Sequence, residues 1–375
     1  MSSNSAARLT HRFADLTVSP APRPAPGPGE LLVRSRAIAV NPLDVVKQST
    51  GDLMYGWLPY PAVLGEDVAG EVVEVGAGVT RFARGDRVIA YAVGMEKGRD
   101  HVAEGAFQEH VVVRALLTAP IPDSMGWAEA CVIPLAVSTA ATALFQDDQL
   151  GLRHPTADGE PTGEAVVVWG GSTSVGSNAI QLARAAGYRV VTTASPRNHQ
   201  RARDLGASDA FDYTSPTVVA DIVAALAGDR VVGVLAVGTG SADPCVAIAV
   251  ATGAKRVALA SPSVSFSDVP RRDGLSVAKA RTLTRLVART SAVMIRSRLR
   301  GIRTRFVWGS TLMDNAVGPM LWEDFLPSAL ADGRYRATPE PLIVGSGLES
   351  IQPALDALRN GVSARKLVVT LDDHR

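Results

Sequence analysis

Cysteine is nearly absent: Cys131 and Cys245 are the only two in 375 residues. Two thiols cannot build a disulfide framework, and neither sits in the Cys-x-x-Cys arrangement that structural zinc uses, so a reduced, cytoplasmic setting is expected. Long apolar runs are lacking too. The opening MSSNSAARLTHRFADLTV holds no run that suits a signal peptide, and no segment is expected to reach the ~20 apolar residues of a spanning helix. Neither sign of charge prevails: 38 Lys and Arg stand against 37 Asp and Glu, a net +1. So even a balance gives no global reason to expect nucleic acid or a membrane as partner.

What is present is length. Single cores stop growing at roughly 250 to 300 residues, so a chain of 375 is expected to form two domains. From Glu30 to about Val113 the text is strand-rich, with ELLVRSRAIAV, VAGEVVEVG, DRVIAYAVG and FQEHVVV separated by Gly and Pro clusters. This predicts an irregular antiparallel β-domain. SPAPRPAPGPGE before it is too proline-rich for regular structure and reads as an extended arm.

From Ala165 the rhythm changes. AVVVW, YRVVTTA, AFDY, VVGVLAVG and KRVALAS read as strands, and NAIQLARAAG, NHQRARDLGA, TVVADIVAALAG and DPCVAIAVATG read as helices, each closed by or near a glycine. Parallel strands need crossover helices, so the alternation predicts a doubly wound parallel sheet. The polar QDDQLGLRHPTADGEPTGE ahead of it reads as a surface connection. The final apolar run in SARKLVVTL is expected to rejoin the first sheet, which would make the first domain discontinuous.

AVVVWGGSTSVGSNAIQLARAAG carries an imperfect dinucleotide fingerprint. Gly171 and Gly176 fill the first and third glycine roles, and Thr173 takes the middle place. Hydroxyls of Ser172, Thr173 and Ser174 are expected to donate to phosphate oxygens. Alone, the loop is equally compatible with a plain strand-turn-helix. About 20 residues further on, where an NAD enzyme places an acid against the ribose 2′-hydroxyl, stand Ser195, Arg197, Asn198 and His199. All can donate to an anion and none repels one, so NADPH is favoured over NADH. The alternative is that Arg197 and His199 simply begin a solvated helix.

With LPYPAVLGEDVAGEVVEVGAGVTRFARGDRV and GAFQEHVVV added, the sequence resembles the medium-chain dehydrogenase/reductase superfamily over nearly its whole length. VWGGSTSVG, IPLAVSTAATALF, TTASPRN and VGSGLESIQPALDALRNGVSARKLVV are most similar to its zinc-free, quinone oxidoreductase-like enoyl reductases, especially the trans-acting type that assists fungal polyketide synthases. The resemblance implies an α/β protein: a GroES-like irregular β-barrel catalytic domain over residues 1–135 and 310–375, and a Rossmann NADPH domain over 136–309.

It also implies cofactor contacts at Gly170, Gly171, Ser172, Thr173, Ser174, Val175 and Gly176, at Ser195, Arg197 and Asn198, at Tyr213 near the adenosine, and at Thr139 near the nicotinamide. VLAVGTGS lacks the acid of many relatives, which leaves the ring-side contact to backbone around Gly238 and Thr239. Zinc members read Gly-His-Glu where this chain reads Gly65-Glu66-Asp67, so no metal ligand is expected. NPLDVVKQ departs from the usual Asn-Pro-x-Asp-Trp-Lys: Val45 replaces the aromatic, and Lys47 is displaced by one place.

The expected reaction is metal-free hydride transfer from NADPH to an enone or enoyl thioester, with quinone reduction and a catalytically silent NADPH-binding protein as alternatives. Asn41 is an expected oxyanion partner and Tyr55 the candidate acid, against packing of Tyr55 and Tyr60 beside Trp57.

One charge asymmetry stands apart. Between Pro270 and Phe306 are eleven Arg and Lys against one acid, Asp273, so the remainder of the chain nets −9. Arg281, Arg285, Arg289 and Arg296 share one helical face, with Leu283, Leu286, Val287, Val293 and Met294 expected on roughly the opposite one. The stretch Arg281–Arg305 is either a solvated helix face or a landing place for an acidic carrier protein or coenzyme A. It lacks the interleaved aromatics that nucleic-acid or membrane contact would favour.

Overall fold

The β-branched runs after Glu30 form the strands that their alternation predicts. In a computed structural model, which describes residues 4–156, 159–262, 271 and 277–371, they occur as Glu30–Ala39, Asp67–Val75, Arg87–Tyr91 and His110–Arg114. Strand Glu30–Ala39 organises this unit. On one side it pairs antiparallel with Asp67–Val75 through two register shifts, and on the other its first half pairs with His110–Arg114 and its last three residues with Arg365–Thr370. Such shifts bend and twist a strand, which suits an irregular barrel. Leu31, Val33, Val68, Val72, Val88 and Val111 fill its core.

The strand Arg365–Thr370 thus lies beside Glu30–Ala39 as its apolar run suggested. The proline-rich arm needs correction. Ser19, Pro20 and Ala21 finish a strand, Leu16–Ala21, that pairs antiparallel with Asn4–Leu9. Pro20 is tolerated because that strand lies at the edge of its three-stranded sheet, where a missing N–H breaks no ladder.

The second unit is a six-stranded sheet whose neighbouring strands are all parallel. Its spatial order is Asp209–Asp212, Arg189–Ala194, Glu164–Trp169, Arg230–Ala236, Arg256–Leu259, Arg303–Phe306, the doubly wound order in which the chain reverses after its third strand and lays the fourth beside the first. Helices Ser174–Ala185, Val218–Ala225 and Ala242–Thr252 link the strands, and Val167, Val191, Ile222, Val234, Ile248 and Val257 pack in one core.

Contacts divide the chain so that Met1–Leu135, Phe266–Lys279 and Gly318–Arg375 belong to the first unit, while Ala136–Ser265 and Ala280–Val317 form the second. The later crossing falls after Val317 rather than at 309, because Gly309 is tied to the second unit: its carbonyl accepts from Thr142 Oγ1 at 3.0 Å.

Two further expectations change. The basic stretch is not one helix. Helix Val277–Leu299 ends before Arg303 and Arg305, which lie on the edge strand Arg303–Phe306, while Arg272 and Asp273 fall outside the described residues. Nor is the expected apolar face buried: Val293 is, but Leu283, Val287 and Met294 are exposed. Trp127–Phe145, in contrast, is long and apolar enough to cross a membrane by composition, which the sequence reading did not anticipate. It is 83% buried inside the protein, as a core helix would be.

Candidate active site

In the second unit the strands end at one edge, and the fingerprint loop lies there because it follows the central strand Glu164–Trp169. Gly170 makes the left-handed turn, with φ +86°, and its N–H and that of Gly171 are held by Thr193 Oγ1 and O at 3.0 and 2.8 Å. Gly176 permits close helix packing, since a Cβ there would stand 2.1 Å from the Gly170 carbonyl oxygen. The role given to Thr173 is corrected. Its hydroxyl donates to the Gly170 carbonyl at 2.7 Å and accepts from Gly176 N–H at 3.0 Å, so it caps helix Ser174–Ala185 instead of reaching for phosphate.

The capped helix still suits an anion. The amides of Ser174 and Val175 are in its first turn, beyond the reach of intrahelical carbonyls, and the cap serves only Gly176. Ser172 and Ser174 are part-exposed beside them.

After the second strand, Ser195 leads into a short 3₁₀ turn, Pro196–Asn198. Arg197 is exposed, and Asn198 keeps a buried Nδ2 with no hydrogen-bond partner among the described residues. An orphaned donor at this place is what a ligand oxygen would satisfy. His199 is less available than its sequence position suggested, because its Nε2 lies 3.0 Å from the Ala194 carbonyl.

Tyr213 follows the strand Asp209–Asp212 and is half-exposed, so a flat apolar face is open there. Gly238 is also corrected: its N–H donates to Ser261 Oγ at 2.8 Å and its carbonyl accepts from Ser241 Oγ, which leaves exposed Thr239 as the more available neighbour. Thr139 sits against Gly309, where a Cβ would approach its hydroxyl to 2.5 Å. The sequence reading missed Thr193, Ser261 and Gly309, whose work is to hold the backbone of these loops. Together the glycine turn, the open amides and the orphan donor fit a dinucleotide.

In the first unit a buried acid cluster surrounds Asn41. Its backbone N–H donates to Asp44 Oδ2 at 2.8 Å and its Nδ2 to Asp67 Oδ2 at 2.7 Å, so the residue named as an oxyanion partner has its polar groups largely committed to the fold. Asp44 Oδ1 also accepts from Gly65 N–H at 3.1 Å. Burial outweighs these bonds and pushes the Asp44 carboxyl up to about 7. Asp67 is neutralised by Lys366 and accepts from Leu135 N–H at 2.6 Å.

Tyr55 is buried, with its ring 5.4 Å from that of Trp57, so the packing partner expected from sequence is present. Burial, then the charges of Glu66, Glu96 and Asp44, raise its phenol above the usual range and keep it protonated. Lys47 has a structural role: its buried Nζ donates to the carbonyls of Tyr55 and Leu58 at 2.9 and 3.1 Å and pairs with Asp52 at 3.0 Å, pinning the loop that carries Tyr55. Among the described residues no three His, Cys, Asp or Glu side chains form a group that could hold a metal ion.

Comparison with known proteins gives this geometry a family. The alcohol dehydrogenase GroES-like domain matches residues 27–123. The chain is 46% identical over 358 residues to the dehydrogenase pigH of Monascus ruber, spanning 95% of this chain and 96% of that one. It is 39% identical over 366 residues to the trans-enoyl reductase himH of Aspergillus japonicus, spanning 96% and 95%. An alcohol dehydrogenase superfamily protein from Novosphingobium aromaticivorans superposes with a TM-score of 0.72 at 25% identity, over 98% of this chain and all of the other. The chain therefore belongs to the medium-chain dehydrogenase/reductase family, as an oxidoreductase whose fold serves a nicotinamide cofactor.

Proposed function

We propose that the protein reduces an activated carbon–carbon double bond, in an enone or enoyl thioester, with hydride from NADPH and without a metal ion. The cofactor choice rests on one observation: the orphaned Asn198 Nδ2 stands beside exposed Arg197 in a turn without an acid. A carboxylate there would favour a ribose hydroxyl and repel a 2′-phosphate, whereas these donors welcome one. The reaction class follows relatives such as the Aspergillus japonicus trans-enoyl reductase.

When bound, the nicotinamide supplies hydride to the β-carbon. Charge then gathers on the substrate's carbonyl oxygen, and an acid must protonate the α-carbon. Tyr55 is our candidate for that acid: it carries a phenolic proton, and Lys47 fixes its loop by donating to the Tyr55 carbonyl. The exposed arginines of helix Val277–Leu299 would dock an acidic carrier protein or coenzyme A, whose negative charge they complement. Two buried free thiols, Cys131 and Cys245, suit action in the reduced cytoplasm.

Cofactor oxidation measured with an enoyl thioester, an enone, a quinone and simple alcohols, each with and without chelator, tests the reading. Alkene reduction that prefers NADPH and survives the chelator is expected. Alcohol oxidation alone, quinone turnover alone, or loss of activity with a bound metal would each overturn it.

A further inference from the structure

A cleft of about 890 Å³ in the first unit shares no residue with the site around Asn41 and Tyr55. Roughly 20 Å of extended strand separates Arg34, on its wall, from Asn41. Arg34 and His110 are directly opposed partners on strands Glu30–Ala39 and His110–Arg114, so both side chains stand on one face of the sheet. Arg23 reaches the same cleft from the proline-rich arm, between Pro22 and Pro24, whose fixed φ limits how far that backbone can stray.

Buried Asn4 joins the arm to the sheet. Its Oδ1 accepts from the His110 N–H at 3.0 Å, and its Nδ2 donates to the Pro22 carbonyl at 3.2 Å and to Gln108 Oε1 at 3.1 Å. One side chain thus holds the residue before Arg23 and the backbone of His110 together.

His110 Nδ1 is buried and has no hydrogen-bond partner among the described residues. A ring nitrogen in that condition marks a missing partner. The charges that act on the ring are those of Arg23 and Arg34, which join burial in driving its pKa from 6.5 down to about 4 and keep it neutral. Arg23 is exposed and forms no ion pair among the described residues. Of the acids on the wall, Glu109 is engaged, its Oε2 accepting from the Ser5 N–H at 2.8 Å, while Glu74 and Glu349 are exposed to water and screened by it.

We propose that this cleft is a second ligand site, which takes the phosphate group of a small phosphorylated molecule between Arg23, Arg34 and His110. A phosphate monoester carries about two negative charges at neutral pH and three acceptor oxygens, which match two guanidinium groups and one ring N–H. A carboxylate would neutralise only one of the two cations. The neutral imidazole can carry its proton on Nδ1 and donate it, because either ring nitrogen can hold that proton. The cleft is far larger than a phosphate and leaves room for the organic part, to which Val18 and Val73 offer an apolar wall.

Histidine ring NMR of the full chain, titrated at neutral pH with inorganic phosphate and separately with acetate, tests this. The His110 signal is identified by its absence from His110→Gln. One series is run with NADPH present, which occupies any phosphate site at the glycine loop and Arg197. Phosphate should shift the His110 signal along a saturating curve in both series. Arg23→Ala, a change at an exposed residue, should weaken that binding ~10-fold or more. The absence of a saturable His110 shift would overturn the proposal, as would an unchanged affinity in Arg23→Ala or a shift that NADPH abolishes. Acetate bound as tightly as phosphate would overturn the choice of phosphate. None of these outcomes depends on the proposed reduction.

Discussion

Lys366 on the last strand places its Nζ 2.5 Å from Oδ2 of Asp67, and both side chains are withdrawn from solvent. The pair joins a C-terminal strand to the strand that follows Glu66, and Asp67 in turn orients Asn41 and Leu135. Removing the cation alone would strand a buried carboxylate. Lys366→Met should therefore destabilise the protein by about 3–5 kcal/mol, and adding Asp67→Leu should restore part of the loss. Urea denaturation of the two single variants and the double variant measures this. Additive losses would show that the two charges do not depend on each other.

The glycine loop makes a separate claim. A Cβ at residue 176 meets the Gly170 carbonyl at 2.1 Å, and neither group is the movable end of a side chain. Gly176→Ala should thus cost about 1–3 kcal/mol and also weaken dinucleotide binding, because relief requires the loop to shift. Calorimetric titration with NADPH, paired with thermal melts, checks both effects. Parent-like binding would mean that the loop is not the phosphate cradle.

Cofactor choice is tested at the turn after the second strand. Arg197→Ala should weaken NADPH by about 1.5–3 kcal/mol, the range for a hydrogen bond to a charged group, and leave NADH nearly unaffected. Equal affinities for the two cofactors in the parent would defeat the assignment.

Proton delivery has its own variant. Tyr55→Phe should bind NADPH normally and lose ~10²-fold or more in turnover. An unchanged rate would pass protonation to water or another group and leave the hydride step standing.

A pH prediction follows from Asp44. Its carboxyl is pushed from 3.8 up to about 7, chiefly by burial, so the folded chain holds a proton that the unfolded chain has released. That contribution to stability is complete below the lower value and is lost as pH rises to about 7. His110, driven from 6.5 down to about 4 by burial and then by Arg23 and Arg34, works in the opposite sense only below its ordinary value. Denaturation midpoints should therefore decline as pH passes from 6.5 through about 7. A rise over that interval would contradict the assignment.

Much of this was legible in the sequence, because periodicity and glycine placement are local properties. Strand and helix text after Ala165 predicted the parallel sheet, since parallel neighbours require crossovers. An acid-free turn in the right place and a missing Gly-His-Glu motif needed only the order of residues. The sixth strand, Arg303–Phe306, was missed because its arginines carry no apolar alternation, and an edge strand need bury little.

Tertiary structure alone decided how the polar atoms are used. The Gly170 carbonyl and a phosphate compete for the proton of the Thr173 hydroxyl, and the folded loop gives it to the carbonyl. Ser261 claims the Gly238 amide from 23 residues away, and Lys366 claims Asp67 across almost the whole chain. Lys47 likewise became a loop anchor once burial removed water as its partner. The physical reason is common to all of them. Sequence fixes which donors and acceptors exist, but partners are assigned by desolvation, which forces each buried polar group to find whatever the fold brings within about 3 Å.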